Sequence, residues 1–346
     1  NLVTLDSRAE QWLWKTSAGL RRFGTTHVGL VQSVSFAPGG SSDYLSTGWD
    51  RTLRYWSASK KRSEVVATFG STVWNADWSP DGKYFAAGSN NGAVRIFAAD
   101  TRREVASLPK IHSIFSTVFF SGDSRRLFVM GVPMLYEYSI PGFRLLSQRP
   151  MGVSNNNGGA TAQSRTHVFS LTPRGPELID LSTGKTLPLH LKAPKGVKFI
   201  SCAALRGNTL YCQDRALALY VYRYPSLEPI ATLAGHTDFI ASARLHPKGE
   251  WFLSSADDRT LRVWDLKSGR PLLIFTDMGS QFLQVTEDGR HLYFSDPIQV
   301  TGIPLDLSLQ QMDPGVLLEK TQKMAGLCLD GVHLKPASLC SPKKSP

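Results

Sequence analysis

Residues 235–269 read GHTDFIASARLHPKGEWFLSSADDRTLRVWDLKSG. The run opens on Gly-His and reaches Trp-Asp near its end. Between them lie short segments in which apolar and polar residues alternate. Alternation at period two marks strands with one face packed. Turn residues such as His246-Pro247-Lys248-Gly249 and Asp257-Asp258 separate the segments. The product is one small four-stranded sheet. Such a sheet cannot bury both of its faces alone, so the run calls for further sheets like it.

The turn between the first two strands can be followed along the chain. It recurs as Ala37-Pro38-Gly39, Ser79-Pro80-Asp81-Gly82, Ser121-Gly122-Asp123, weakly at Ser164-Arg165, then as Arg206-Gly207-Asn208, His246-Pro247-Lys248-Gly249 and Glu287-Asp288-Gly289. Successive copies lie about 41 residues apart, within the ~40–45 of a four-stranded repeat. Apolar alternating segments flank each turn, such as residues 31–36 and 240–245 before it and 251–254 after it. The chain therefore reads as all-β, with seven antiparallel units.

These residues resemble the WD-repeat (WD40) family over almost the whole chain, sharply in two units and faintly in the others. The resemblance implies a β-propeller of seven four-stranded antiparallel blades, or eight if the first residues build another. Residues 1–19 read as a partial blade or the stump of a preceding repeat, and residues 20–310 as the propeller. Residues 20–24 are placed to supply the missing outer strand of the last blade, which would close the ring. In residues 315–329, Leu317, Thr321, Met324 and Cys328 fall at helical spacing. A short C-terminal helix packed on the propeller is expected within a tail of residues 311–336, followed by a disordered end, 337–346. The Asn/Gly run in residues 151–160 is expected to be a mobile loop.

Within each blade the family carries a network of His, Ser or Thr, Asp and Trp. Carried onto this sequence, the sixth unit supplies His236, Ser254, Asp258 and Trp264. The first supplies His27, Ser46, Asp50 and Trp56, with Thr26 in place of the usual Gly. The carboxylate can accept from the imidazole, the imidazole can meet the hydroxyl, and the hydroxyl can accept the indole N–H. The second unit departs from this, with Asn91 and Phe97 at the Asp and Trp positions. The third keeps His112 and has Tyr138 for Trp. A Ser, a His and an Asp also suit a hydrolase. Here the spacing is that of the repeat, Trp completes the set, and no Gly-x-Ser-x-Gly elbow is present. No catalytic residue, metal ligand or cofactor is expected.

By the same resemblance, partner recognition falls on the propeller's rim, here Trp49, Trp74, Asn90, Phe115, Phe239 and Asp257. Trp49 and Trp74, in consecutive blades, could form one aromatic patch; each could equally pack between blades. The chain has 346 residues, with 42% hydrophobic and 19% charged residues, globular values rather than those of a disordered chain. The net charge is +11, which favours acidic partners. The basic residues come in short scattered groups, such as Lys60-Lys61-Arg62 and Arg102-Arg103, and read as solvated turns. Of the four cysteines, Cys202 and Cys212 fall on neighbouring strands. A disulfide is open to them, and buried free thiols in a reducing, cytoplasmic setting are the adopted reading. No run of about twenty apolar residues exists to span a membrane. The chain starts at Asn1 within a strand-like pattern, so a truncated N-terminus is expected.

Three functions compete. The first is a non-enzymatic scaffold, a monomeric propeller binding a protein or peptide on one face. The tail run Ala-Gly-Leu-Cys-Leu-Asp-Gly at residues 325–331 resembles large WD-repeat proteins of planctomycete- and verrucomicrobial-type bacteria, which implies a kinase-linked parent. The second is a basic scaffold in RNA processing or another nucleic-acid complex. The third, a propeller enzyme, needs catalytic groups at the axis, and none stands out.

Overall fold

The structure is a computed structural model. It describes residues 21–23, 27–41, 43–60, 62–111, 113, 116–131, 133–152, 165–172, 175–205, 209–246, 249, 251–275, 283–285, 289, 291–295, 300–304, 327–330 and 333–336. The described chain is built from β-strands. Six four-stranded antiparallel sheets follow one another. The first runs through Val31–Phe36, Tyr44–Gly48, Thr52–Ser57 and Arg62–Thr68. The second holds Val73–Trp78, Tyr84–Ser89, Val94–Ala98 and Glu104–Ser107. The third holds Thr117–Phe120, Arg126–Gly131, Met134–Ser139 and Leu145–Pro150. Phe199–Leu205 to Glu228–Leu233 and Ile240–Leu245 to Pro271–Phe275 make two more.

The remaining four-stranded sheet joins the two ends of the repeat array. Leu283–Val285, His291–Ser295 and Val300–Pro304 are completed by Arg21–Phe23, with Arg21 opposite Gly302 and Phe23 opposite Val300. A strand that precedes the first sheet thus closes the last one and covers its open edge. Another sheet has three described strands, His167–Thr172, Gly175–Asp180 and Thr186–Pro188. By offset from the third sheet these are second to fourth strands. The inner-strand position falls on residues 153–164, outside the described residues, as do most of the expected mobile loop and residues 1–19. Met151, placed in that loop by the sequence, is buried in the core beside Phe119 and Val168.

Each core lies between two neighbouring sheets. Leu45, Leu53 and Phe69 of the first sheet pack on Val73, Phe85 and Phe97 of the second. Val94 and Ile96 pack on Val118, Leu127 and Tyr138 of the third. Tyr211 and Leu219 meet Phe252 and Trp264 in the same way. Fully burying side chains of this size contributes about 1.5–3 kcal/mol each.

Polar side chains reinforce the seams at a constant offset of 43 residues. The Asn75 amide donates to the Val118 carbonyl and accepts from the Val118 N–H, both at 2.8 Å. Asp77 accepts the Phe120 N–H at 2.8 Å, and the Trp78 indole donates to the Ser35 carbonyl at 3.1 Å. Asp81 N–H donates to Ser124 at 3.0 Å. Each bond joins a residue to one displaced by a single position from its equivalent in the adjoining sheet, since the matching turns at Ala37, Ser79 and Ser121 lie 42 residues apart.

Two expectations are corrected. No helix occurs among the described residues, and the end of the expected C-terminal helix, Leu327–Asp330, is a strand paired with His333–Pro336. Asp330 lies opposite His333, and this cross-strand pairing outweighs the single helical period through Cys328; Leu317, Thr321 and Met324 lie outside the described residues. The second correction concerns Cys202 and Cys212. They sit directly opposite each other across the hairpin and are joined as a disulfide. The free-thiol ground for a reducing compartment is thereby removed.

Asn75→Ala should test the seams. It leaves two buried Val118 groups without their partner, an expected loss of about 1–3 kcal/mol by urea unfolding. Wild-type stability would show that the cross-sheet bonds are unimportant.

Candidate functional site

The polar networks lie within the first blade and the blade of residues 240–275, called the sixth after its place among the sequence units. His27 Nδ1–H donates to Asp50 at 2.9 Å, and His27 Nε2 accepts from the Ser46 hydroxyl at 2.7 Å. The Trp56 indole N–H donates to the same hydroxyl at 3.0 Å. In the sixth blade the corresponding distances are 2.8 Å to Asp258, 2.7 Å to Ser254 and 2.8 Å from Trp264. The structure therefore brings together each set of four. A threonine joins each set: Thr52 and Thr260 donate both hydroxyl and backbone N–H to the carboxylate. The backbone N–H groups of Val28 and Thr237 cap the carboxylates.

The proton count follows from these contacts. Ser46 and Ser254 accept from indole and donate to imidazole, so each imidazole carries its proton on Nδ1. Burial pushes both imidazoles down, outweighing the upward pull of Asp50 and Asp258. Burial also opposes ionisation of the two carboxyls, but the bonds from His27 and Thr52, and from Thr237, His236 and Thr260, hold them below the usual carboxylate range. Each site is thus a neutral imidazole against a carboxylate, with Arg54 and Arg262 at 3.8 and 3.9 Å to balance the charge. Depressed imidazole and carboxyl values share one sign: this stabilisation is complete above the ordinary imidazole value and is lost as pH falls through the depressed ones.

Both serine hydroxyls are buried, and each already donates to histidine and accepts from tryptophan. A nucleophile needs a free path to substrate, and these have none. Gly235 explains the residue before His236. Its φ is 143°, a conformation strained for any residue with a Cβ.

The other blades replace the network in ways the strand register explains. Ser46 lies opposite Arg54, Ala87 opposite Arg95 and Ser254 opposite Arg262. The second blade therefore loses the hydroxyl at Ala87 together with the indole at Phe97, leaving no orphaned N–H. Its Asn91 accepts from Ser89 at 2.8 Å. In the fifth blade the equivalent of Ser254 is Cys212, which is bonded to Cys202. Nearby, the buried Asp214 accepts from the Tyr220 hydroxyl at 3.1 Å. In the third blade Tyr138 is buried in the seam, and His112 lies outside the described residues.

At the rim, Trp49, Asn90 and Asp257 occupy matching turns. Each donates its backbone N–H to the residue entering the inner strand: Trp49 to Leu30, Asn90 to Thr72 and Asp257 to Phe239. Trp49 is 56% exposed, with Val28 beside it at 82%. Its indole donates to Gln32 at 2.9 Å, which orients the ring. Asn90 and Phe239 are half-buried and Asp257 is exposed. Phe115 lies outside the described residues. Trp74 is only 9% exposed. It sits at a register shift between Val73 and Asn75, and such a bulge re-aims a side chain. Trp49 and Trp74 thus do not form one exposed patch.

Sequence reading missed Arg165 and Asp77. The Arg165 guanidinium clamps the buried Asp77 carboxylate at 2.8 and 3.1 Å and donates to the carbonyls of Phe120 and Trp78. Asp77 carries no sequence signal for this role, because alternation cannot see the Phe120 backbone of the neighbouring blade. No group of three or more His, Cys, Asp or Glu converges among the described residues. No helix among them is long and apolar enough to cross a membrane.

Repeated four-stranded blades, closed by a strand from the array's other end, define a β-propeller of the WD type. The chain carries WD repeats: the "WD domain, G-beta repeat" family matches residues 20–57, 63–97 and 227–265. Nuclear distribution protein PAC1 of Arthroderma benhamiae is 40% identical over 294 residues, 80% of this chain and 59% of that protein. Serine-threonine kinase receptor-associated protein of Gallus gallus is 25% identical over 270 residues, 75% of this chain and 61% of that one. The chain thus spans about three fifths of the length of these relatives. Among solved structures, the RRP9 WD40 repeats share the fold at a TM-score of 0.67 and 14% identity, covering 85% of this chain and 99% of that one. The structure of U3-55K does so at 0.65 and 13%, covering 83% and 98%.

Ser254→Ala should remove the partner of both His236 and Trp264. A loss of about 1–3 kcal/mol in urea unfolding is expected at neutral pH. An unchanged midpoint would contradict the described network.

Proposed function

We propose that this chain is a non-enzymatic scaffold that binds a protein or peptide on the propeller face carrying Trp49. The observation that carries this reading is an oriented, exposed indole beside an exposed Val28, on a surface whose Ser-His-Asp sets are buried and already hydrogen-bonded. Large aromatics at the centre of an interface carry much of its binding energy. Asn90, Phe239 and Asp257 occupy the same rim, and Trp74 and Phe115 flank it by sequence position. Counting the three-stranded sheet as a blade makes the ring seven-bladed. One relative is named for association with a serine-threonine kinase receptor, and a scaffold role fits that description. The kinase-linked bacterial parent rests on residues 325–331; a parent reading frame without kinase motifs would remove it.

A second reading, a basic scaffold in a nucleic-acid complex, is favoured by the net charge of +11. Several arginines are already committed to carboxylates: Arg95 to Glu104, Arg126 and Arg149 to Glu137, and Arg165 to Asp77. This lowers the free charge available to phosphates and places the reading second. Binding to an oligonucleotide that falls steeply with salt would restore it.

Peptides selected from a display library on the wild-type chain test the first reading. Trp49→Ala should weaken their binding by about tenfold or more at an unchanged unfolding midpoint. Equal binding by the folded variant would contradict it.

A further inference from the structure

The end of the first two blades opposite Trp49 carries a cavity of about 200 Å³ lined by Tyr55, Ser57, Lys60, Arg62, Glu64 and Arg102. Strand register builds one wall. Tyr55 lies opposite Glu64, and Ser57 opposite Arg62, so all four share one face of the outer strand pair. That face looks towards the second blade, where Trp78 meets the Tyr55 ring edge-on. Arg102 comes from the second blade and forms the other wall. Its guanidinium lies 4.7 Å above the Tyr55 ring centre and pairs with Glu64.

The groups are held in place. Arg102 has φ of 58°, in the left-handed region, and its N–H donates to the Ala98 carbonyl at 2.8 Å. A non-glycine residue kept there is uncommon outside constrained turns. The Tyr55 hydroxyl donates to Asp43 at 2.6 Å. Burial, then Asp43, pushes that phenol up to about 12, so the ring remains a neutral floor. The Ser57 hydroxyl contacts Ser59 at 3.1 Å.

The charge is unbalanced. Lys60, Arg62 and Arg102 bring three cations against the single carboxylate of Glu64 in the cavity wall. Arg102 and Glu64 offset each other. Lys60 and Arg62 have no ion-pair partner among the described residues, so the lining side chains carry a surplus of two positive charges, with the Asp43 carboxylate set behind the Tyr55 hydroxyl. We propose that this seam binds the dianionic phosphate group of a phosphomonoester or of free phosphate. Such a group carries nearly two negative charges at neutral pH, and its oxygens match guanidinium donors. A carboxylate would leave one cation unbalanced. The volume holds about six water-sized groups, enough for one phosphate. A nucleic-acid strand instead requires a basic track several nucleotides long.

The test is calorimetric titration of the full chain with inorganic phosphate, a phosphoserine peptide and the same peptide unphosphorylated. Saturable binding of the first two, and none of the third, is expected. The double change Lys60→Gln with Arg62→Gln alters two exposed side chains and should weaken binding by at least about tenfold at an unchanged unfolding midpoint. Arg102→Gln also removes the seam contact to Glu64, so the double variant is decisive. Tighter binding of the phosphopeptide would assign the site to a phosphorylated partner, and equal binding to the free anion; both outcomes support the dianion site. No saturation, equal binding of the unphosphorylated peptide, or wild-type affinity in the double variant would overturn it. The cavity is remote from Trp49, so its failure would leave the scaffold reading standing.

Discussion

A four-stranded sheet with two apolar faces is stable only between two others, and everything else in this protein depends on that constraint. Phe85 and Phe97 show it directly, buried together in the seam between the first two blades. Hydrophobic burial drives such seams but does not fix their register, because it is non-directional. The polar bonds from Asn75, Asp77, Trp78 and Asp81 supply that register, each at 43 residues. Closure by Arg21–Phe23 lets the last sheet share the same arrangement instead of ending in an open edge.

The blades were legible where turn chemistry and alternation agree. Both Asp-to-Trp networks could be placed from sequence because their residues sit in turns and on the third strand at fixed spacing. The turns at Ala37, Ser79 and Ser121 recur every 42 residues, and the seam bonds reach one residue further because each joins neighbouring rather than equivalent positions. What could not be read depends on register. Nothing in the separation of Cys202 and Cys212 says that they face each other, since the intervening hairpin decides it. Asp77 carries no sequence signal for its role, because alternation cannot see a neighbouring blade's backbone. Sequence left Trp74 open between rim and interior, and the bulge that settles it inward has no sequence signature there. The helix expected through Cys328 failed because it rested on one apparent helical period, whereas Leu327–Asp330 pairs with His333–Pro336 as antiparallel strands.

The networks also separate structural chemistry from functional chemistry. Every hydrogen-bonding atom of His27 and His236 is matched within its blade, and the serines have no hydroxyl left to react. Where a blade gives up the indole it gives up the serine too, as Ala87 and Phe97 do, so no buried donor is stranded. The ring leaves exposed the turn at Trp49 at one end and the cations of Lys60 and Arg62 at the other, the two places proposed for recognition.

The central claim is that His27 and His236 are neutral clips fixed on Nδ1, and not acid–base groups. Nitrogen-15 imidazole NMR through the ordinary histidine value of about 6.5 tests it most directly. Both rings should keep the neutral Nδ1–H pattern down to the onset of unfolding. Titration of His27 or His236 at the ordinary value in the folded protein would contradict it.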